Sequence, residues 1–412
     1  MDIGDRSIIR ELATRVAEIA ACPIQEEKRK LCYAINALKP IRATVFCHPV
    51  CAWDVLVPES ALQCEDKRAR KIEYALRMRV YAAERFSDDE VEDGAYDVPR
   101  VIRSCGWGIA PEYIRPQEAR GSYVWDPPIK SRRDLDLIKV PTVEYDEEAT
   151  QRELEFHQEL FGDILQVRLH GGCRSYAGLI DEWAALRGIN QTFLDMAEDP
   201  EMVHEGMRRL MEGRIAELES AESQGLLSLN NAASSVGSGG SGLTHDLPAP
   251  DFDGHVRLRD LWVFADSQTM APVSPAMHEE FVLRYQVPIL RRFGLTYYGC
   301  CEPLHQKLPL LKRLVPNLRK VSISRWADKR ISAQELGGNY VFECKSDPMV
   351  FASDVFDEDR IRESIRSTLA LGKEHGCVME LILDTADNIR GDPCRVDRWT
   401  QIAREEAEEA AA

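Results

Sequence analysis

The stretch "YYGCCEP", from Tyr297 to Pro303, sets two thiols and a carboxylate side by side between a glycine and a proline. Thiolate and carboxylate oxygen are both zinc ligands, and thiolates favour Zn²⁺ over Mg²⁺. A catalytic zinc takes about three protein ligands and keeps one position open. On an extended chain, adjacent side chains point to opposite sides. That predicts one of Cys300 and Cys301 as ligand, beside Glu302 and an acidic residue from a distant strand. Asp384, closing the apolar run "CVMELILD", is the best such acid. The alternative is a sulfur-rich turn with one buried thiol and one packing residue.

Other chemistry-bearing residues fall where apolar runs end. They are His170 (with Cys173 three residues on), Asn230 and Asn231, Asp266 with Gln268, Glu343 with Lys345, and Glu380. Asp266 and His170 suit acid–base work, and Lys345 suits a substrate carboxylate. Asn230, Asn231, Gln268 and Glu343 suit substrate hydrogen bonds. In a parallel barrel, reactive groups collect where strands end and the following loops begin.

The elements needed to position them are legible as a rhythm. Helical periodicity covers 5–38, broken at Pro23, and a strand follows at 43–47. Further helices are predicted at 65–85, 147–161, 177–186, 200–223 and 357–375. Strands are predicted to end at His170, Asn230, Asp266, Cys300, Ser324, Cys344 and Asp384, and Pro303 reads as a helix start. Short apolar strands alternating with amphipathic helices imply parallel βαβ units. The count predicts an α/β protein, a (β/α)₈ TIM barrel over 40–412 with an N-terminal helical extension over 1–39. A doubly wound nucleotide-binding sheet would carry a glycine-rich turn after its first strand, and none is present there. The run "GSGGSG" at 237–242 is not followed by Lys-Ser/Thr, so it is no phosphate-binding loop. Its glycines predict a mobile cover over the pocket.

The 412 residues are 44% hydrophobic and 29% charged, which suits a globular protein with a substantial core. The net charge of −17 argues against nucleic acid and anionic membranes as partners. No apolar run reaches about 18 residues, so no membrane span is predicted. The N-terminus lacks the pattern of a secretory signal. Twelve cysteines, mostly scattered singly, predict reduced thiols in a cytoplasmic protein.

Four stretches together resemble the uroporphyrinogen decarboxylase-like superfamily, nearest to its methyltransferase and uncharacterised branches. They are "YYGCCEP", the preceding "SPAMHEEFVLRYQVPILRRFG", the terminal "VMELILDT" and "LSLNNAASSVGSGGSGLTHDLPAP". The resemblance covers most of 25–405 and implies the (β/α)₈ barrel. True decarboxylases carry an arginine-rich segment after the first strand. Here that stretch is "FCHPVCAW", Phe46 to Trp53, without arginine, so porphyrinogen decarboxylation is not expected. The methyltransferases carry His-x-Cys at the strand end matching "YGC" and a later cysteine on the last strand. Tyr298 stands at the histidine position, as a substrate-facing residue, Cys300 matches the first cysteine, and Asp384 lies near the later one. The resemblance thus implies zinc-assisted methyl transfer between a small methylated substrate and a corrinoid. No Asp-x-His-x-x-Gly corrinoid motif is present, the nearest text being "DGHVRL" at 253–258, so the corrinoid would arrive on a separate protein. A second copy of the chain is a further expected partner, as a homodimer. The alternatives are a metal-independent decarboxylase or lyase on the same barrel, and a non-catalytic small-molecule binding protein.

Overall fold

The computed structural model describes all residues except 116–122, 172–174 and 234, so Cys173 lies outside the described residues. Among the described residues, eight strands carry the parallel architecture. They are β1 (Thr44–Cys47), β2 (Ala95–Pro99), β3 (Gln166–His170), β4 (Trp262–Ala265), β5 (Leu295–Tyr298), β6 (Leu318–Ile323), β7 (Val341–Lys345) and β8 (Val378–Leu383). Six form one parallel sheet in the order β1-β8-β7-β6-β5-β4, and β2 pairs with β3 in a second. Helices cover the outer face of the six-stranded sheet, so its strands are buried on both sides and read as near-continuous apolar runs, whereas β2 and β3 are more exposed. All six residues of β8, "VMELIL", are buried.

The α/β class and its parallel sheet agree with the sequence reading. Closure into an eight-stranded barrel does not follow, because among the described residues the ladders stop at β1 and β4. Non-strand contacts serve those two edges. The Asp89 N–H donates to the Val45 carbonyl at 2.7 Å. The Phe264 N–H donates to Ser175 O, and the Ala177 N–H to Phe264 O. Residues 226–230, expected as a strand ending at Asn230, form none. The Asn230 amide replaces a ladder rung instead. It donates to Trp262 O at 3.0 Å and accepts from Trp262 N at 2.9 Å.

The helices sit close to their expected spans: α1 (Ile3–Ala20), α2 (Ile24–Asn36), α3 (Lys67–Arg85), α4 (Glu147–Phe161), α5 (Pro200–Ser223), α6 (Glu358–Glu374) and α7 (Cys394–Ala411). Asp2 caps α1 by accepting from Asp5 N, and Asp66 caps α3 through Arg68 N and Ala69 N. Ile9, Ala13 and Val16 of α1 pack with Ile72 and Leu76 of α3 and Phe161 of α4. Ile35 of α2 packs on Val341 and Val378, at the start of β7 and β8. The helix expected to open at Pro303 begins at Leu308, after an irregular segment at 303–304 and a turn at 305–307.

The glycine run is not a cover. It makes a short hairpin, Ser235–Val236 against Gly240–Ser241, that penetrates the interior of the sheet. Gly239, Gly240, Ser241 and Gly242 are all buried. A Cβ on Gly240 would stand 2.5 Å from Glu380 Oε2 and 2.7 Å from Lys320 Nζ. The glycines permit close approach to buried charges, and they are held rather than loose. Lys320 Nζ donates to Ser241 O at 2.9 Å, Trp262 Nε1 to Gly242 O at 2.9 Å, and Asn36 Nδ2 to both Ser241 O and Leu243 O.

Candidate metal centre

The centre begins where β5 ends. Along a strand, successive side chains face opposite sides. Tyr297 faces inward, where its hydroxyl bonds Glu343 and lies 2.7 Å from Ser238 Oγ. Tyr298 faces the outer helical layer. Its Oη donates to Gln286 Oε1 at 2.7 Å and lies 3.2 Å from His278 Nε2. Burial depresses the His278 pKa to about 3, so that imidazole is neutral. Tyr298 is therefore committed to the outer layer, and the expectation that it faces substrate is corrected.

Gly299 then turns the chain with φ +96, a conformation open mainly to glycine. Cys300 and Cys301 follow in a bend rather than an extended strand. The rule that adjacent side chains diverge no longer applies, and the two Sγ atoms stand 3.6 Å apart. Asp384, just beyond β8, reaches the same place from another direction. The ligand atoms of Cys300, Cys301 and Asp384 all lie within 4.8 Å of one another.

Glu302 does not join them. Only 1% exposed, its carboxylate accepts from Ser267 N at 2.8 Å and from Cys300 N at 3.0 Å. It braces the end of β5 against the end of β4. Burial, then the charge of Asp266, raises its pKa. The expectation of Glu302 as a ligand is corrected: it shapes the turn that presents the thiols.

Lys345, the last residue of β7, stands against the trio. Its Nζ is 2.5 Å from Asp384 Oδ2 and 3.4 Å from Cys300 Sγ. Burial opposes its charge, but Asp384, then Cys300 and Glu343, hold its pKa above the usual lysine value. The hydrogen bond from Cys300 and the nearby Lys345 ammonium bring the Cys301 thiol down to about 7. The same bond, with burial, pushes Cys300 up. One proton leaves this pair easily, and the second is retained.

Two polar groups flank the centre. In the first, Asp266 accepts from Tyr176 Oη at 2.8 Å and from Gln268 Nε2 at 3.0 Å. Asp181 lies near it, accepting from Thr269 N at 2.9 Å. Burial and the Asp266 charge raise its pKa to about 7. In the second, deeper group, Lys320 bonds Glu380 at 2.7 Å beside Glu343 and Tyr297. Burial, then Glu380, raises Glu343 to about 7. Glu343 Oε2 and Glu380 Oε2 are buried without a hydrogen-bond partner. Glu343 therefore sits beneath the glycine hairpin, in the layer below Lys345.

The remaining expected residues are elsewhere or occupied. His170 lies on β3, its Nδ1 4.0 Å from Asp97 Oδ2, in the separate two-stranded sheet formed with β2. Asn230 is spent on the Trp262 backbone, and Asn231 Nδ2 donates to Leu247 O at 2.6 Å. Tyr297, Lys320, Tyr176 and Asp181 escaped the sequence reading. For Lys320 a signal existed, since a lysine and Ser322 alternate inside the apolar run "LRKVSI".

No family model matches the chain, and no curated protein matches it. Among solved structures it is similar to a methyltransferase from Methanosarcina mazei. The identity is 11% over 92% of this chain and 97% of that one, with a TM-score of 0.52. At that identity the likeness shows a shared fold.

Proposed function

We propose that Cys300, Cys301 and Asp384 hold one zinc ion in an enzyme of the uroporphyrinogen decarboxylase-like type. It moves a methyl group between a small methylated substrate and a corrinoid carried by a separate protein. The observation that carries the reading is the convergence of two sulfurs and a carboxylate oxygen within 4.8 Å. Thiolates bound at ~2.3 Å around a tetrahedral ion stand ~3.8 Å apart, which the 3.6 Å sulfur separation suits. Charge also fits, because two thiolates and a carboxylate balance a divalent cation plus the Lys345 ammonium. The shared fold with a methyltransferase supports the reaction class.

Zinc would supply a Lewis acid for the heteroatom that loses its methyl group. The chain's own residues do the rest. Lys345 holds Asp384 in place and offsets the negative charge of the ligand set. Glu302 fixes the turn at Cys300. Asp266, oriented by Tyr176 and Gln268, handles the proton that the released heteroatom takes with its bonding electron pair.

A second reading draws on Lys345 already bridging Asp384 and Cys300. In a metal-independent lyase this ammonium would bind a substrate carboxylate, with Asp266 as acid or base. The assay that separates them supplies chemically reduced free cobalamin with a panel of methyl ethers, methylamines and methyl thioethers. The proposal predicts cobalamin methylation that Cys300→Ser abolishes and Glu302→Asp retains in part. Methylation indifferent to Cys300→Ser would overturn the zinc site, and loss of a carboxylate substrate without cobalamin methylation would favour the lyase.

A further inference from the structure

A cavity of about 300 Å³ lies between β7, β8 and the helices α6 and α7. Its floor is apolar: Leu381 of β8, Ile361 and Ile365 of α6, and Trp399 of α7, all buried. Close packing is the norm in protein interiors, and this volume falls at the lower end of small-molecule pockets. The rim is cationic, but its charges differ in availability. The Arg325 guanidinium pairs with Asp347 and stacks on Trp326 at 4.2 Å. Lys345 is paired with Asp384. Lys329 Nζ bonds only the neutral Thr368 Oγ1, at 2.9 Å, and among the described residues has no carboxylate within ion-pair distance.

We propose that this cavity binds a small amphipathic carboxylate, its head on Lys329 at the rim and its alkyl or aryl body on the Leu381–Trp399 floor. One uncompensated ammonium above an apolar floor selects a monoanion with an apolar body. A neutral ligand leaves the ammonium unpaired, and a phosphate dianion finds its second charge unmatched. Ser364, an exposed residue of α6, also lines the cavity. The cavity adjoins the thiol centre through Lys345, which lines it and also reaches Asp384 and Cys300, while the proposed head-group residue Lys329 belongs to the cavity. The proposal does not rest on the zinc reading.

The test is calorimetric titration of the full chain with octanoate and with octanol. Octanoate is expected to bind one per chain, about tenfold tighter than octanol, the size of a hydrogen bond to a charged group. Lys329→Gln is expected to bring the two ligands to equal affinity. Ser364→Trp, which narrows the cavity from an exposed position, is expected to weaken both. The proposal is overturned if octanoate shows no saturable binding, or if its advantage over octanol survives Lys329→Gln. Unchanged binding in a Ser364→Trp protein with native near-UV circular dichroism overturns it too. Lys329→Gln decides alone if the tryptophan variant fails to fold.

Discussion

Lys345 Nζ stands 2.5 Å from Asp384 Oδ2, joining the ends of β7 and β8 at the rim where Cys300 and Cys301 emerge. The hydrogen bond from Cys300 and, after it, this ammonium favour the thiolate form of Cys301.

Alkylation of Cys301 in metal-free protein, followed by peptide mass spectrometry, is therefore expected to rise through a midpoint of about 7. Lys345→Met and Cys300→Ala should each move that midpoint up toward the ordinary thiol value of 9.0, by about one unit or more. A midpoint unmoved by both substitutions would show that neither neighbour acts on the thiol.

Glu343 offers a pH-dependent test in the deeper layer. Its folded pKa of about 7 lies above the ordinary 4.5 because burial and Glu380 disfavour its charge. A folded pKa above the unfolded one means that the folded chain holds the proton more tightly. The stability from that proton is fully present below about pH 4.5 and is lost as pH rises through about 7. Glu343→Gln cannot ionise. Relative to the parent it should gain up to about 3 kcal/mol in urea unfolding at pH 8, with the difference closing near pH 5. A variant less stable at pH 8 than at pH 5, relative to the parent, would refute the assignment.

The glycine hairpin makes a structural prediction. A methyl group at Gly240 meets the Lys320–Glu380 pair and Glu343, none of which can retreat into solvent. Gly240→Ala should cost about 1–3 kcal/mol, read from the urea midpoint. Amides of 239–242 should exchange slowly, as buried backbone does. An unchanged midpoint with fast exchange would return this segment to the status of a loose cover.

The strands and most helices were legible because apolar periodicity depends on burial, and burial here is nearly two-sided. What stayed hidden depended on single torsions and on facing. Tyr297 and Tyr298 are chemically alike, and only strand register decides which faces inward. The convergence of Cys300 and Cys301 hinges on the positive φ of Gly299, which periodicity does not encode. Glu302 looked like a ligand by proximity in sequence, yet two backbone N–H groups claim its oxygens. Asn230 looked like a strand end, but its amide mimics a peptide group and replaces a rung of the ladder. Composition predicted freedom for the glycine run, whereas the missing side chains serve close approach to Lys320 and Glu380. Cys300 and Asp384 were foreseen as partners because both close long apolar runs, and strand ends on one rim come together.

The most direct test of the zinc centre is metal content, measured by plasma mass spectrometry on protein purified without chelator or metal-affinity resin. The account predicts about one zinc per chain. It predicts that Cys300→Ser, Cys301→Ser and Asp384→Asn each lose most of it while keeping native circular dichroism, and that His170→Asn keeps it all. Parent protein that holds no zinc, even after incubation with the ion, would contradict the account, as would full zinc retention by the cysteine variants.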